Sequence, residues 1–555
     1  MKVKASYVRR LILALIYGYL VLPVLIFFLG WCRWYIGAPC ACVLVYSVWR
    51  CIREHRDAAD TEYMLTGMHG RKIAAVVLLV LLWTGLSGVG GYVWQNADHP
   101  VRNELFTLLV QEKWPVVREV EILSEAGAAA TQIRGLVYYI GFWLPAAAAG
   151  KLAGITAGWA VQYLWAAAGI LLMYAWICIS KKKLAVWPLL ILICFSGLDA
   201  LGVLLTCPEG LTVFSDVHLE AWAPYYQFSS MTTQLFWVFN QAVPAWLLSA
   251  LVFLGEKPRS LLFLASLTIL TATFPFVGVL PFVLYFMVSR CAWEPGQFKQ
   301  AGVSAVFKSC LGGWCSFQNI AGTAVTGIVC GIYISGNNAV RKSLPLLNSS
   351  RKMLLLIFGI LAVAAGGAAV RVLVVRGRGA LLLKAAAVAF VLILVCRIAR
   401  LPYADWQSPL FYWINLTVFY VLEAGVFLLV LYPAVKDRKL FWLTGAWLYV
   451  IPLIMIGKSC DFCMRASIPG LFLIMLWCVD MLDAWRTQKQ NRKRACVLAV
   501  LLMIGAVTPL HEIKRSYIHT REYYENQTAT PEEIFMGNNF SGSTAGFFWR
   551  YFAKP

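Results

Sequence analysis

Long apolar runs alternate with short polar connections along nearly the whole chain. About 20 apolar residues in a helix cross a bilayer, and shorter runs cross as short or broken helices. The pattern therefore predicts an all-α, polytopic transmembrane bundle of about 13–16 spans. The runs extend over Leu11–Trp31, Tyr35–Trp49, Ile73–Trp94, Ala157–Ile179, Leu184–Leu205, Thr232–Leu254, Leu261–Phe274, Phe276–Val288, Ile320–Ile334, Met353–Val370, Ala380–Cys396, Leu410–Leu431, Phe441–Ile456, Ile468–Leu482 and Ala495–Leu510.

Basic clusters recur in every second connection, which predicts that these connections face the cytoplasm. Examples are Lys181–Lys183, Lys436–Lys439 and Arg486–Arg494. Residues 95–134 then form a long first loop on the outer side, with an amphipathic helical pattern. The segment Leu136–Ala149 breaks the alternation. Either it enters the membrane without crossing, or it forms a broken hairpin that reaches the cytoplasm near Lys151.

Composition agrees with a membrane protein, because 60% of the 555 residues are hydrophobic and only 14% are charged. A soluble protein has about 25% charged residues. The formal net charge of +21 is explained by the positive-inside bias and by contact with anionic membrane lipids, so no nucleic-acid partner is expected. The run Leu11–Trp31 is too long for a signal peptide and predicts a retained first span.

Two acidic positions beside predicted spans are candidates for chemistry. Asp98 follows the third run by a few residues, where its carboxylate would reach both a lipid headgroup and an aqueous acceptor, although a loop acid beside Arg102 is equally ordinary there. Asp461 and Arg465 are four residues apart and would pair on one helical face. Together with Lys458 they form either a surface ion-pair cluster or a cationic ledge for a lipid phosphate.

The third outer segment is rich in aromatic and amide side chains, among them Glu220, Trp222, Gln227 and Asn240. Sugars stack on aromatic rings and bond to amides and carboxylates. An aromatic belt at the membrane surface also accounts for this composition.

Ionisable groups also occur inside the apolar runs. Two interpretations of Glu423 and Asp199 are open. They would line the path of an ion-coupled transporter, or they would form hydrogen bonds between helices. Cys460 and Cys463 form a single CxxC, which we interpret as packing at a helix entry rather than as a metal site. No Walker A loop, GxGxxG turn, HExxH or GxSxG motif is present, so we expect no ATP-driven transport within this chain.

Several stretches resemble a group of largely uncharacterised bacterial multi-pass proteins, which in turn resembles the GT-C glycosyltransferases in architecture and in the position of the first outer loop. The resemblance begins with the pattern formed by Asp98, Asn103, Leu109 and Trp114-Pro115-Val116. The other stretches are YYIGFWLPAAAAGKLAG, SGLDALG, HLEAWAPYYQFSS, LFWVFNQAVPAW, DFCMRASIP and FFWRYFAKP.

The resemblance implies transfer of a sugar, with inversion, from a polyprenyl-phosphate-linked donor to a glycan or lipid acceptor at the outer face of a bacterial cytoplasmic membrane. It makes Asp98 the general base, with Arg465, Lys458 and Arg400 binding the donor phosphate. Many GT-C members carry paired acids in this loop, whereas the next acid here is Glu104. The use of a divalent metal therefore stays open, and no metal ligands are assigned.

On this interpretation residues 1–510 form the transmembrane transferase domain and residues 511–555 an outer C-terminal tail that either docks onto the outer surface or binds a partner. Two other functions remain open. One is a transporter or flippase for lipid-linked saccharides, which would use Glu423 and Asp199. The other is a non-catalytic scaffold for envelope assembly.

Overall fold

The computed structural model describes residues 5–55, 66–123, 129–212, 215–223, 225–290, 313–339, 409–456, 460–488, 492–522, 529–537 and 539–555. The described part is largely helical, as the sequence predicts. Its helices are α1 Ala5–Trp31, α2 Trp34–Glu54, α3 Gly70–Leu86, α4 His99–Gln111, α5 Leu144–Ala153, α6 Ile155–Ser180, α7 Trp187–Cys194, α8 Asp199–Thr206, α9 Met231–Leu254, α10 Leu261–Ser266, α11 Thr273–Ser289, α12 Thr323–Ser335, α13 Pro409–Tyr420, α14 Val426–Leu431, α15 Arg438–Val450, α16 Asp461–Ala466, α17 Ile468–Gln488, α18 Arg492–Gly505, α19 Val507–Glu522 and α20 Pro531–Met536.

Short irregular helices and one small sheet complete the described structure. The sheet is antiparallel in the order β1, β2, β3, a feature that the all-α prediction did not contain. Its strands are β1 Val117–Leu123, β2 Ala129–Leu136 and β3 Ser541–Ser543. The 3-10 turns are Ile140–Phe142, Pro208–Leu211, Leu219–Trp222 and Ile451–Leu453, and the π turns are Gln318–Gly322, Val421–Gly425 and Phe548–Phe552.

Within the described ranges, seven helical segments are long and apolar enough to cross a membrane. Two shorter apolar helices, Thr273–Ser289 and Asn415–Leu431, accompany them. The predicted spans Met353–Val370 and Ala380–Cys396 lie outside the described residues. The seven segments are Tyr7–Trp31, Trp34–Glu54, Ile155–Ser180, Trp187–Thr206, Met231–Leu254, Ile468–Thr487 and Arg492–Glu522.

The bundle has two chemically different ends. At one, which we call the basic end, Lys181 pairs with Asp480 and Lys183 with Asp483. At the same end Arg290 donates to the carbonyl of Glu256 at 2.8 Å. The other, which we call the loop end, carries α4, the sheet and α20. Among the described connections, Lys181–Lys183 lie at the basic end, whereas α4 from the first predicted outer loop lies at the loop end.

Helix α9 forms the centre of the bundle. Nearly all of its side chains are buried, and it packs against α6, α11 and α17. Its first turn is fixed by Ser230, whose hydroxyl accepts a hydrogen bond from the backbone N–H of Thr233 at 3.0 Å. An N-cap of this kind satisfies a donor that would otherwise be left unpaired in the interior.

Helix α4 occupies the predicted amphipathic part of the first outer loop. Its predicted apolar positions Leu105, Leu108 and Leu109 are all at most 2% exposed. The opposite face is covered as well, since α4 contacts α5 and α20. The helix is therefore an internal element of the loop end rather than a helix lying on a lipid surface.

Helix α5 answers the question that the sequence left open about Leu136–Ala149. Ten helical residues span about 15 Å, half the thickness of the hydrocarbon core. Lys151 near its end donates to the backbone carbonyls of Val110 and Glu112 at 3.0 and 2.5 Å. The segment thus turns back to the loop end, and Gly154, at φ +89°, connects it to α6. Lys151 therefore lies beside the end of α4 at the loop end and not at the basic end.

The C-terminal residues dock back onto the body of the protein. β3 pairs with β2, and the N–H of Lys554 donates to the carbonyl of Trp31 at 2.9 Å. Phe548 stacks on Phe27 with ring centroids 5.8 Å apart. The predicted boundary at residue 510 falls inside α19, so the described tail is continuous with the bundle.

Candidate functional site

A cavity of about 340 Å³ lies at the loop end and is called here the loop-end cavity. Its volume falls in the range of small-molecule sites, roughly 300–1,000 Å³. Segments from the first loop, α11, α12, α16 and the tail meet around it. Its polar and aromatic lining residues are Asp98, Arg102, Tyr138, Tyr139, Thr273, Phe274, Asn337, Asp461, Arg465, Asn539 and Phe540.

The first polar unit of the cavity is formed by Asp98 and Arg102. Asp98 takes the N-cap position of α4, and Pro100 lies in the first turn, where a proline needs no N–H partner. One turn on, Arg102 Nη2 lies 2.7 Å from Asp98 Oδ2 and Nη1 donates to the carbonyl of Trp237. The Arg102 side chain is only 6% exposed, whereas that of Asp98 is 44% exposed. The arginine is thus fixed while the carboxylate faces the cavity.

The second unit has the same spacing. Arg465 Nη1 lies 2.5 Å from Asp461 Oδ1 and donates to the Asp461 carbonyl at 3.0 Å, so the predicted ion pair is present. The side chains of Arg465 and Asp461 are 6% and 38% exposed. Arg465 Nε is buried and, among the described residues, has no hydrogen-bond partner. Burial opposes the charge of Arg465, but the Asp461 carboxylate, by its charge and its hydrogen bond, raises the pKa of Arg465 above the ordinary arginine value.

Tyr138 and Tyr139 line the cavity together with both arginines. Their rings lie 3.7 Å apart between centroids, and both arginines act electrostatically on both hydroxyl groups. Burial raises the pKa of each tyrosine, so both are neutral hydroxyl groups able to donate hydrogen bonds. This Tyr-Tyr pair lies in a stretch that carries the resemblance to GT-C proteins. The sequence analysis did not predict that it lines the site.

Neighbouring groups in the first loop do not add a second acid to the cavity. His99 is buried against the Phe236 carbonyl at 3.0 Å, and burial together with Arg102 lowers its pKa to about 4. Glu104 is 9% exposed and lies further along α4, away from the residues that line the cavity. Among the described residues of the first loop, Asp98 is therefore the acid that lines the cavity.

The structure brings only part of the predicted site together. Asp98 and Arg465 line one cavity, whereas Lys458 and Arg400 lie outside the described residues. The predicted saccharide-binding residues are elsewhere. Trp222 Nε1 donates to Glu423 Oε1 at 3.2 Å, and Asn240 is buried within α9.

A second polar cluster, which we call the acid network, contains Glu220, Trp222 and Gln227. Glu220 is buried and accepts from Gln227 Nε2 and from the N–H of Ser230, both at 2.8 Å. Glu423 and Asp199 are each 1% exposed and their carboxyl groups interact, and Ser196 Oγ donates to Asp199 at 2.7 Å. These contacts join α8, the 3-10 turn at Leu219–Trp222 and the π turn that carries Glu423.

The acid network continues to the loop end through α19. His218 Nδ1 lies 2.9 Å from Glu512 Oε1, and Arg515 Nη1 donates to the same oxygen at 2.9 Å. Trp237 Nε1 donates to Glu512 Oε2 at 3.2 Å. Sequence reasoning missed Glu512 and Arg515 because they fall in the segment assigned to the tail.

Gln227 connects the acid network to the segment that carries Arg465. Its side-chain oxygen lies 3.2 Å from Cys460 Sγ, and its backbone carbonyl lies 3.4 Å from Cys463 Sγ. The two cysteines are thiols packed at the start of α16, in agreement with the interpretation of the CxxC as helix-entry packing. Across the described part of the chain, no three His, Cys, Asp or Glu side chains are grouped so as to hold a metal ion.

Comparison of the chain with protein-family models, with curated proteins and with solved structures gave no match. The chemistry of the two polar clusters is therefore the basis for a functional assignment.

Proposed function

We propose that this protein is an integral membrane glycosyltransferase that transfers a sugar from a polyprenyl-phosphate-linked donor to an envelope glycan or lipid acceptor at the loop end. The observation that carries the proposal is that Asp98 and Arg465, 367 positions apart in the chain (465 − 98), line one cavity. Sugar transfer requires a base that accepts the proton of the acceptor hydroxyl and a cation that stabilises the leaving phosphate. An acid beside buried guanidinium groups provides both.

The reaction assigns separate roles to the two units. Asp98 accepts the proton of the acceptor hydroxyl, whose oxygen forms the new bond to the anomeric carbon as the bond to the lipid phosphate breaks. Arg465, with its unused Nε donor, stabilises the departing phosphate. Arg102 holds the Asp98 carboxylate in place.

The test is a transfer assay on the purified full chain in lipid nanodiscs, with polyprenyl-phosphate hexoses and pentoses radiolabelled in the sugar. Asp98→Asn should lower turnover at least about 100-fold, the usual contribution of a general base. Asp483→Asn is the matched control, because it removes a half-exposed aspartate from an ion pair at the opposite end. Unchanged turnover in Asp98→Asn, with wild-type activity present, would rule the enzyme proposal out.

The acid network favours a second function, a transporter or flippase for lipid-linked saccharides. Glu423 and Asp199 are buried together, and Glu423 Oε2 has no hydrogen-bond partner among the described residues. Paired acids in a membrane interior commonly bind a proton or cation. Here Glu423→Gln should stop flux of a fluorescent lipid-linked saccharide across vesicle membranes and remove its proton dependence.

The same variant separates the two functions. If the protein is a transferase, the Glu423→Gln variant should be less stable but should keep its turnover per folded molecule. Asp480→Asn is the control, because it changes an acid at the basic end. A scaffold would tolerate both Asp98→Asn and Glu423→Gln.

A further inference from the structure

A second cavity, of about 510 Å³, lies at the basic end of the bundle, opposite the loop-end cavity. It forms where the residues before α3, the connection between α6 and α7, and the end of α17 meet. The lining groups that matter are Thr66, Gly67, Lys72, Lys183, Trp187 and Arg486. We call it the basic cavity.

Backbone hydrogen bonds fix the wall of this cavity. The N–H of Thr66 donates to the carbonyl of Lys182 at 3.1 Å, and the N–H of Leu184 donates to the carbonyl of Thr66 at 2.9 Å. Gly67 has φ +76°, and a Cβ there would lie 2.5 Å from the Leu184 carbonyl oxygen. The close approach therefore requires glycine, and the cavity wall is set by the fold rather than by mobile side chains.

Within the described residues, only one cation of the basic cavity is paired with an acid. Lys183 Nζ lies 3.1 Å from Asp483 Oδ1, so that charge is paired. Lys72 and Arg486 have no carboxylate within ion-pair distance among the residues that the structure describes. Two positive charges therefore face one concave surface.

The cavity also has the depth expected for phospholipid headgroups. Trp187 begins one candidate span, Trp187–Thr206, and Arg486 is one residue from the end of another, Ile468–Thr487. The Arg486 guanidinium lies 5.1 Å from the centroid of the Trp187 ring. Tryptophan prefers the membrane–water interface, and basic pockets between helices at the cytoplasmic surface bind anionic headgroups.

We propose that the basic cavity binds one anionic glycerophospholipid, with Lys72 and Arg486 contacting its phosphate and Trp187 packing beside its glycerol. A zwitterionic choline lipid is disfavoured, because its quaternary ammonium would lie beside the positive charges of Lys72 and Arg486. Free phosphate compounds share the phosphate chemistry but lack acyl chains. The inference does not depend on the sugar-transfer reaction.

The test counts lipids on the purified full chain by native mass spectrometry after exchange into mixed micelles of phosphatidylglycerol and phosphatidylcholine. One phosphatidylglycerol per chain should be retained at a lipid ratio that removes the others. The double variant Lys72→Ala/Arg486→Ala should weaken this retention about 30-fold, since each basic residue near the surface contributes to anionic lipid binding. Equal retention in the double variant would overturn the proposal.

The control is Arg438→Ala. Arg438 is likewise an exposed arginine against an aromatic ring, 4.2 Å from the Tyr432 centroid at the same end, but it does not line the basic cavity. It should retain phosphatidylglycerol as the wild type does, and an equal loss would show that only general surface charge is measured. Glycerol 3-phosphate is the competitor, and displacement of the lipid at equal concentration would contradict a lipid site.

Discussion

The loop-end cavity and the acid network contain similar side chains in opposite arrangements. Around the cavity, each aspartate is about two-fifths exposed and is held by a buried arginine one turn further along its helix. In the acid network, Glu220, Glu423 and Glu512 are at most 3% exposed and find their partners inside the protein. The cavity charges surround a space, whereas the network charges mostly surround one another.

This difference separates binding chemistry from structural chemistry. A carboxylate that keeps contact with an open space can still take part in a reaction with a ligand. A carboxylate such as Glu512, which accepts from His218, Trp237 and Arg515, instead ties α19 to α9 and to the loop before it. Removing groups from the network should therefore cost stability, while removing cavity groups should cost function.

The largest expected effect on stability comes from Glu512→Ala. It removes the buried acceptor of Arg515 Nη1 and Trp237 Nε1 and, among the described residues, leaves Arg515 only the exposed Asp216. Breaking a buried pair in this way costs about 3–5 kcal/mol. The loss should be measured as the unfolding free energy in mixed micelles. Asp216→Ala is the control, because Asp216 binds the same arginine but is 62% exposed, and it should cost at most about 1 kcal/mol. Equal costs for both variants would remove the contrast between the two regions.

A second prediction concerns pH. Burial, together with the nearby Asp199 carboxyl, raises the pKa of Glu220 from 4.5 to about 7. The folded state thus binds this proton more tightly than the unfolded state, and the stability it contributes is full below pH 4.5 and is lost as pH rises toward 7. The pKa of His218 is also raised, because its bond to Glu512 outweighs burial, and it acts in the same direction above pH 6.5.

The unfolding free energy should therefore fall between pH 5 and pH 8, by roughly 3 kcal/mol at most from Glu220. Glu220→Gln should remove most of this slope, because the amide does not titrate. Asp98→Asn serves as the comparison variant from the cavity and should leave the slope in place. His218 leaves a slope above pH 6.5 in this variant. A slope between pH 5 and pH 6.5 that is unchanged in Glu220→Gln would show that this carboxyl is not the titrating group.

The smallest stability effect is expected for Asp461→Asn. The ion pair with Arg465 is i,i+4 and the aspartate is 38% exposed, so the cost should be at most about 1 kcal/mol. The sugar-transfer proposal expects lower turnover, since the orientation of Arg465 depends on this carboxylate. Unfolding and transfer assays on the same preparation separate the two effects. A stability loss as large as that of Glu512→Ala would place Asp461 with the structural groups.

The sequence predicted individual parts of the candidate site better than their assembly. The Asp461–Arg465 pair follows from helical spacing alone, and Asp98 from its position after a span. Arg102 has the same four-residue spacing from Asp98, but the sequence does not distinguish this pair from an ordinary contact between charged loop residues. Tyr138, Asn337 and Phe540 reach the cavity only because distant segments meet there, and no local pattern announces such a meeting.

By itself, the sequence determined the helical class, most of the long apolar helices and the separation of basic connections onto one end. These features follow from local periodicity and from charge, which each segment carries independently of the rest. The tertiary structure decided that β1 pairs with β2, that α5 turns back, and that the tail docks against α1 and β2. It also decided which acidic side chains line the loop-end cavity and which are buried together in the acid network. Those outcomes depend on contacts between segments hundreds of residues apart, whose geometry is settled only when the whole bundle packs.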